Sequence, residues 1–254
     1  MKGIEVRVIA ESHEDPAGMM MFLAKLTQRG HQVSSMSDLE ELYAASMNPD
    51  GKVVRRVAAL PHGTIKRFTP ITIAIVGASR RFLAQARTHQ VGMTFVSASL
   101  QYSDYSGTDS FVVPYELFSD PERVAHYISA CKYAMSAYSN MVAAGIDHDT
   151  AGYVAPQGLR NVLIIQANTE AWLHFIRLRA CNRNTVEMQY VTMLIWEALL
   201  GTADGSDLFA FAGPDCVHGK CREGKMSCGQ PIDTSSPRYF IEEKWPLLKE
   251  AHDG

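Results

Sequence analysis

The stretch Asn168 to Glu187, NTEAWLHFIRLRACNRNTVE, sets Asn168, His174, Arg177 and Arg179 on one short helix among residues that normally form a core. At helical spacing His174, Arg177 and Cys181 follow one another, while Trp172, Phe175, Ile176 and Arg179 share the neighbouring arc. An Arg beside Trp and Phe is costly to bury unless it meets an anion or a planar polar group that two donors can grip. That is the chemistry of a nucleotide or base site.

Outward from this stretch, Val162 to Ala167 reads as a buried strand or the start of a helix, and Thr169 to Cys181 and Val186 to Leu200 read as helices, with Gly201 closing the second. Ile4 to Ala10 and the β-branched run Thr69 to Val76 predict strands, and Phe95 to Tyr102 predicts an extended segment. Helices are predicted over Pro16 to Gln28 and over Ser37 to Met47, the latter opened by Ser37, Asp38 and Glu40. Ser79 caps a helix to Thr88, and Asp120 to Ala144 forms another, with Pro121 at its first position and Gly145 at its end. Gly213 to Pro231 reads as an irregular loop, and Pro237 to Glu250 as a helix interrupted by Pro246. With no internal repeat and no long linker, residues 1–254 are expected to form a single α+β domain.

Composition narrows the function classes. The chain has 254 residues, 46% of them hydrophobic, enough for a sizeable core. Its net charge of -3 disfavours a nucleic-acid polymer as partner, so any phosphate must be held by a local basic cluster. Met1 to Glu11 is charged rather than signal-like, and no apolar run approaches the roughly 20 residues of a membrane helix. The expectation is a soluble, cytoplasmic protein. Five cysteines without an export signal argue against a disulfide framework, and Cys131, among Tyr127, Ile128 and Met135, reads as core. Cys216, Cys221 and Cys228 lie in the Gly-rich loop with His218 between them. They are either a structural zinc site, with Cys181 as a fourth thiolate, or three ordinary loop cysteines.

The chain lacks G-x-S-x-G, H-E-x-x-H and a G-x-G-x-x-G that opens a helix after a strand. Gly219 to Met226 imitates a phosphate loop without the Ser or Thr after Lys225, a coincidence of spelling. His62 to Tyr102 carries more. Arg80, Arg81, Gln85, Arg87, His89 and Gln90 share one predicted helix, and Ser97, Ser99 and Gln101 alternate along the extended segment that follows. Alternation would place those three on one face, a cradle for a phosphate or a base edge. The plainer reading is a solvated helix before an edge strand, and on composition alone it prevails.

Taken together, these segments resemble the flavin-dependent thymidylate synthases. That family has a His-rich turn before a strand, then Gln-x-x-Arg-His-Arg, seven residues, and Ser followed by x-Arg-Tyr; later come Asn-x-Arg, an Asn or His, and a Leu-Arg. Here His62-Gly63-Thr64 matches the turn, Gln85 keeps its place, and Asn168, His174 and Arg179 fall in register. The resemblance covers about half the chain, His62 to Tyr102 and Pro156 to Leu200. It implies a mixed or antiparallel sheet flanked by helices, and a homotetramer whose active sites are shared between subunits. It also implies FAD as cofactor, with NADPH and 5,10-methylenetetrahydrofolate as co-substrates, for the reductive C5 methylation of a uridine monophosphate.

By the same resemblance, Arg179 would hold the pyrimidine and favour ionised N3, activating C5 without a cysteine nucleophile. Ser99, with the backbone from Ser97 to Gln101, would bind the nucleotide phosphate and sugar, alongside Gln85. Thr64, His89, Gln90, Asn168 and His174 would contact flavin, and His62 the folate or flavin rim. The departures are specific. Thr88 and Gln90 stand where the motif has Arg, eight residues precede Ser99, and Gln101-Tyr102 replaces Arg-Tyr. Arg87, one residue early, is a substitute for a lost Arg. The family's acid after the turn is here Arg67, preceded by Lys66, and its Asn-x-Arg arginine is Glu170, which suggests an Arg67–Glu170 bridge of exchanged polarity. Gly152 takes the place of a nucleotide-binding Arg, with Arg160 as a candidate replacement. Erosion at the nucleotide-facing motif makes UMP, as in nucleoside-antibiotic pathways, a substrate to weigh beside dUMP. Other readings are an inactive flavin- or nucleotide-binding subunit, and a flavin reductase or oxidase without methyl transfer.

Overall fold

A computed structural model describes residues 3–11, 13–219, 221–232 and 236–249. Its centre is a four-stranded antiparallel sheet of order β1-β2-β4-β3, formed by β1 (Glu5–Glu11), β2 (Pro70–Ser79), β3 (Met93–Ser97) and β4 (Arg160–Asn168). Helices α1 (Pro16–Arg29), α2 (Met36–Ala44) and α3 (Gly51–Ala58) lie between β1 and β2, and α4 (Arg80–Ala86) between β2 and β3. The long α5 (Pro121–Ala143) and short α6 (His148–Ala151) precede β4. After β4 come α7 (Thr169–Arg179), α8 (Val186–Leu200), α9 (Gly205–Leu208), α10 (Pro237–Lys244) and α11 (Pro246–Lys249). This is the α+β architecture expected, with the sheet wholly antiparallel.

Period-two patterning builds the sheet. Ile71, Ile73 and Ile75 of β2 and Leu163, Ile165 and Ala167 of β4 point to the core, with Ile73 paired to Ile165. Val162 to Ala167 is therefore strand. On the other face Val76, Val96 and Val162 are exposed. A bulge between Val76 and Ala78 is made possible by Gly77 at φ +85, where a Cβ would lie 2.7 Å from the Gly3 carbonyl oxygen. Trp172, Phe175 and Ile176 of α7 are fully buried, and the Trp172 indole donates to the Ile71 carbonyl at 3.2 Å. Cys131 packs with Phe111, Met135, Tyr138 and Leu159 in a second cluster under α5, as expected of a core thiol. No helix among the described residues is long and apolar enough to cross a membrane.

Two local expectations change, and one helix has no counterpart in the sequence reading. The helix expected from Ser37 begins one residue earlier, at Met36, because Ser35 and Asp38 form a reciprocal capping box. Helix α3 carries too short a period to be read: its signal is Asp50 capping Lys52, with Val54 and Ala58 as the buried stripe. Strand β3 ends at Ser97 rather than Tyr102. There the Ser99 hydroxyl accepts from the Gln101 amide at 3.1 Å, and the Ser99 carbonyl accepts from Ser103 N at 3.2 Å, so local bonds replace the ladder. Ser97, Ser99 and Gln101 thus do not alternate on one strand face.

Candidate active site

Strands β2 and β4 are antiparallel neighbours, each followed directly by a helix, so α4 and α7 start at opposite ends of the sheet. Their C-terminal ends meet, and Arg179 joins them. Its Nε donates to His89 Nε2 at 2.7 Å, Nη2 to Thr88 Oγ1 at 2.8 Å and to the Gln85 carbonyl at 3.2 Å, and Nη1 to Asn184 Oδ1 at 3.2 Å. Every one of these acceptors is neutral, and no carboxylate pairs with Arg179 among the described residues. Asn184 is itself anchored, donating to the carbonyls of Leu178 and Cys181. The half-buried guanidinium is therefore aimed and keeps an uncompensated charge. Burial draws its pKa down from the usual arginine range.

His89 stands between Arg179, the Phe175 ring at 4.9 Å and the His174 ring at 6.0 Å. Burial first, then the charges of Arg179 and His174, push its pKa down to about 4. It is therefore a neutral acceptor at physiological pH. Thr88, which in sequence is only the loss of an Arg, supplies a hydroxyl that holds Arg179; Asn184 gives no sequence signal.

Four of the expected nucleotide contacts, Arg87, Ser97, Ser99 and Gln101, come together without regular alternation. Ser97, Ser99 and Gln101 line a polar cavity of about 330 Å³ with Arg80, Arg87, Asp149, Gly152 and Tyr153. Arg87 Nη2 donates to Ser97 Oγ at 2.7 Å. Gln85 lies outside this cavity: its carbonyl accepts from Arg179 and its Oε1 from Thr185 Oγ1. Arg160 does not serve there either, because its guanidinium donates to the carbonyls of Phe111, Gly3 and Gly77.

The remaining expected contacts surround the start and outer face of α7. Asn168 caps that helix, its Oδ1 accepting from Ala171 N at 2.9 Å, so only its amide nitrogen is left to face a ligand. The His62-Gly63-Thr64 turn packs on Glu170, to whose carboxyl carbon a Cβ at Gly63 would approach within 2.9 Å. Glu170 pairs with Lys66, not Arg67: Nζ lies 3.0 Å from Oε2 and also donates to the carbonyls of Ala58 and Leu60. Lys66 is buried with Ile65 on the inner side of the 3-10 turn, while Arg67 and Phe68 are exposed. His174 and Arg177 open onto a cavity of about 370 Å³ shared with Lys66, Glu170, Asp215, His218 and Arg222. Gln90 is exposed at the end of the α4 turn.

The zinc expectation is not met by this arrangement. Among the described residues no three His, Cys, Asp or Glu side chains gather to hold a metal ion, and Cys221 is exposed. Cys216 Sγ accepts from Ile232 N and Cys228 Sγ from Gln230 N, so the thiols bond to their own loop. Cys181 lies near Cys216 and Cys228, and burial leads the causes that raise its pKa. A further cavity of about 350 Å³, lined by Ser79, Tyr127, Cys131 and Glu187, contains none of the expected site residues.

The sequence pattern of the family described as thymidylate synthase complementing protein matches residues 7–203. A flavin-dependent thymidylate synthase from Geobacter sulfurreducens is 28% identical over 189 residues, covering 74% of this chain and 79% of that protein. One from Clostridium tetani is 25% identical over 249 residues, covering 91% and 95%. Among solved structures, the UMP/dUMP methylase PolB from Streptomyces cacaoi bound with 5-Br dUMP aligns with a TM-score of 0.65 at 16% identity, over 84% of this chain and 97% of that one. Thymidylate synthase ThyX from Helicobacter pylori complexed with FAD and dUMP aligns with a TM-score of 0.64 at 18% identity, over 82% and 99%. At such identities the structural likeness establishes the fold.

Proposed function

Because the chain belongs to the thymidylate synthase complementing protein family, we propose that it is a methyltransferase acting on C5 of a uridine monophosphate, dUMP or UMP, with FAD as cofactor. The observation that carries this reading is Arg179, held by His89, Thr88, Gln85 and Asn184 with no acid to neutralise it. A guanidinium fixed by neutral acceptors keeps its charge for whatever anion develops beside it. On a pyrimidine that anion is the ring ionised at N3, and its negative charge makes C5 nucleophilic without a covalent enzyme adduct.

The residues around α7 fit a flavin dinucleotide by donor chemistry. Arg177 and Arg222 are cations suited to a diphosphate, and His174, His62, Thr64, Gln90 and the Asn168 amide can donate to a flavin edge. FAD, when bound, supplies hydride transfer and carriage of the methylene group, with methylenetetrahydrofolate and NADPH as the proposed co-substrates. His89 stays unprotonated and keeps Arg179 in place. Arg87, Ser97, Ser99 and Gln101 would take the phosphate and sugar. The exposed valines of the sheet's open face, Val76, Val96 and Val162, support association into the proposed homotetramer.

The test is tritium release from C5-labelled dUMP and, separately, UMP, with FAD, NADPH and methylenetetrahydrofolate present. Release from at least one, lost in Arg179→Ala with flavin still bound, is expected. A flavin-loaded protein that releases from neither would be a binding subunit or a reductase.

A further inference from the structure

Arg80 is the first residue of α4, and its backbone N–H donates to the Leu159 carbonyl at 3.0 Å. Arg80 also lines the polar cavity between the end of β3 and the turn at Asp149 to Tyr153. Its Nη1 is buried without any hydrogen-bond partner. An unpaired guanidinium nitrogen is among the costlier groups to leave in a fold. Burial lowers the pKa of Arg80, partly offset by Tyr105, and the like charge of Arg87 lowers it further. Neither Arg80 nor Arg87 forms an ion pair among the described residues, and the cavity's one acid, Asp149, is exposed.

Two cations held together, one of them orphaned, are stabilised by a multivalent anion placed between them. The rest of the wall suits the same ligand. Ser97 Oγ accepts from Arg87 and Ser99 Oγ from the Gln101 amide, so each hydroxyl keeps its own proton to donate. Gly152 lines the cavity with Leu100 packed close beside it, a Cβ there falling 3.3 Å from Leu100 Cβ. We propose that Arg80 is the principal ligand of the substrate's 5′-phosphate, gripping it from the buried side while Arg87, Ser97 and Ser99 close around it. This assignment rests on the nucleotide-methylase reading and adds to it the residue that selects a monophosphate over a nucleoside.

Calorimetric titration of the full-length protein with dUMP, UMP, deoxyuridine and inorganic phosphate tests it, in wild type, Arg80→Gln and Arg80→Lys. Arg80→Gln should weaken the preferred monophosphate by about 10- to 100-fold, the loss expected when charge-assisted bonds are removed. Deoxyuridine affinity and flavin content should stay the same, and Arg80→Lys should fall between. Because an unpaired buried cation is removed, Arg80→Gln should be at least as stable to heat as wild type in the absence of ligand. A lower melting temperature would mark Arg80 as a structural residue and overturn the proposal. So would an Arg80→Gln protein that keeps the wild-type preference for monophosphate over nucleoside; if that variant does not fold, an unchanged preference in Arg80→Lys overturns it equally. Wild type that binds neither monophosphate would overturn the methylase reading and the role of Arg80 together.

Discussion

Arg179 donates its Nε–H to His89 Nε2 at 2.7 Å, and that bond fixes His89 as the Nδ1–H tautomer. The pair couples the last turn of α7 to the residue just past α4, and it makes the charge of one depend on the neutrality of the other.

A pH dependence follows. The folded pKa of His89 is about 4, against 6.5 for an unperturbed histidine. Between these values the unfolded chain binds the extra proton, so acid favours unfolding. The contribution is fully present above about pH 6.5 and is lost as pH falls toward 4. Denaturant titrations from pH 4 to 7 should show this slope, and His89→Gln, whose side-chain oxygen replaces Nε2 as an acceptor, should flatten it. A slope unchanged in His89→Gln would assign it to other groups.

The Lys66–Glu170 pair gives a second expectation. Lys66 has a side chain only 7% exposed and its partner is 35% exposed. Lys66→Met should cost about 1.5–3 kcal/mol, the range of a charge-assisted bond, because it leaves Glu170 and two carbonyls without their donor. Arg67→Ala, at an exposed position, should stay within about 0.5 kcal/mol. A double-mutant cycle on thermal or denaturant unfolding should show coupling of Glu170 to Lys66 and none to Arg67.

Glu187 behaves oppositely to His89. Its carboxylate accepts from Ser79 N at 2.7 Å and from Ser79 Oγ at 2.5 Å, yet burial dominates and raises its pKa. The native state then holds the proton more tightly than the unfolded chain. Glu187 therefore favours the fold most below the ordinary carboxylate range, and that advantage fades as pH rises through its folded pKa. Glu187→Gln should remove this fall in stability on going from pH 4 to 7, and Ser79→Ala should destabilise α4 by about 1 kcal/mol through loss of its cap. A pH profile of unfolding free energy for the two variants checks both.

The loop thiols are expected to differ among themselves. Cys216 is partly buried against the main core and accepts from Ile232 N, whereas Cys221 is exposed. Cys216→Ala should lower the melting temperature, and Cys221→Ala should leave it within error. Equal, large losses at Cys216, Cys221 and Cys228, reversed by added zinc, would restore a metal site.

Where the pattern was long the fold was legible. Alternation in Thr69 to Val76, the Pro121 and Gly145 punctuation of α5, and the Ser79 cap each encode their element within a few neighbouring residues. Helix α3 and the early end of β3 were not legible, because one is too short to show a period and the other is set by a Ser99 turn that competes with the ladder. Lys66 and Arg67 illustrate a different limit: two adjacent cations are equivalent partners for Glu170 in sequence, and only the turn decides which one faces inward.

The sequence by itself determined the α+β class, most of the elements and the family likeness, because hydrophobic period, caps and a motif around Arg179 are local properties of the chain. Tertiary structure alone decided what Arg179 touches, which lysine or arginine meets Glu170, and that Arg80 stands unpaired beside Arg87. Those facts depend on side chains up to about a hundred residues apart meeting across an antiparallel sheet. Their energies come from burial and charge at the meeting point, and neither quantity exists until the chain has folded.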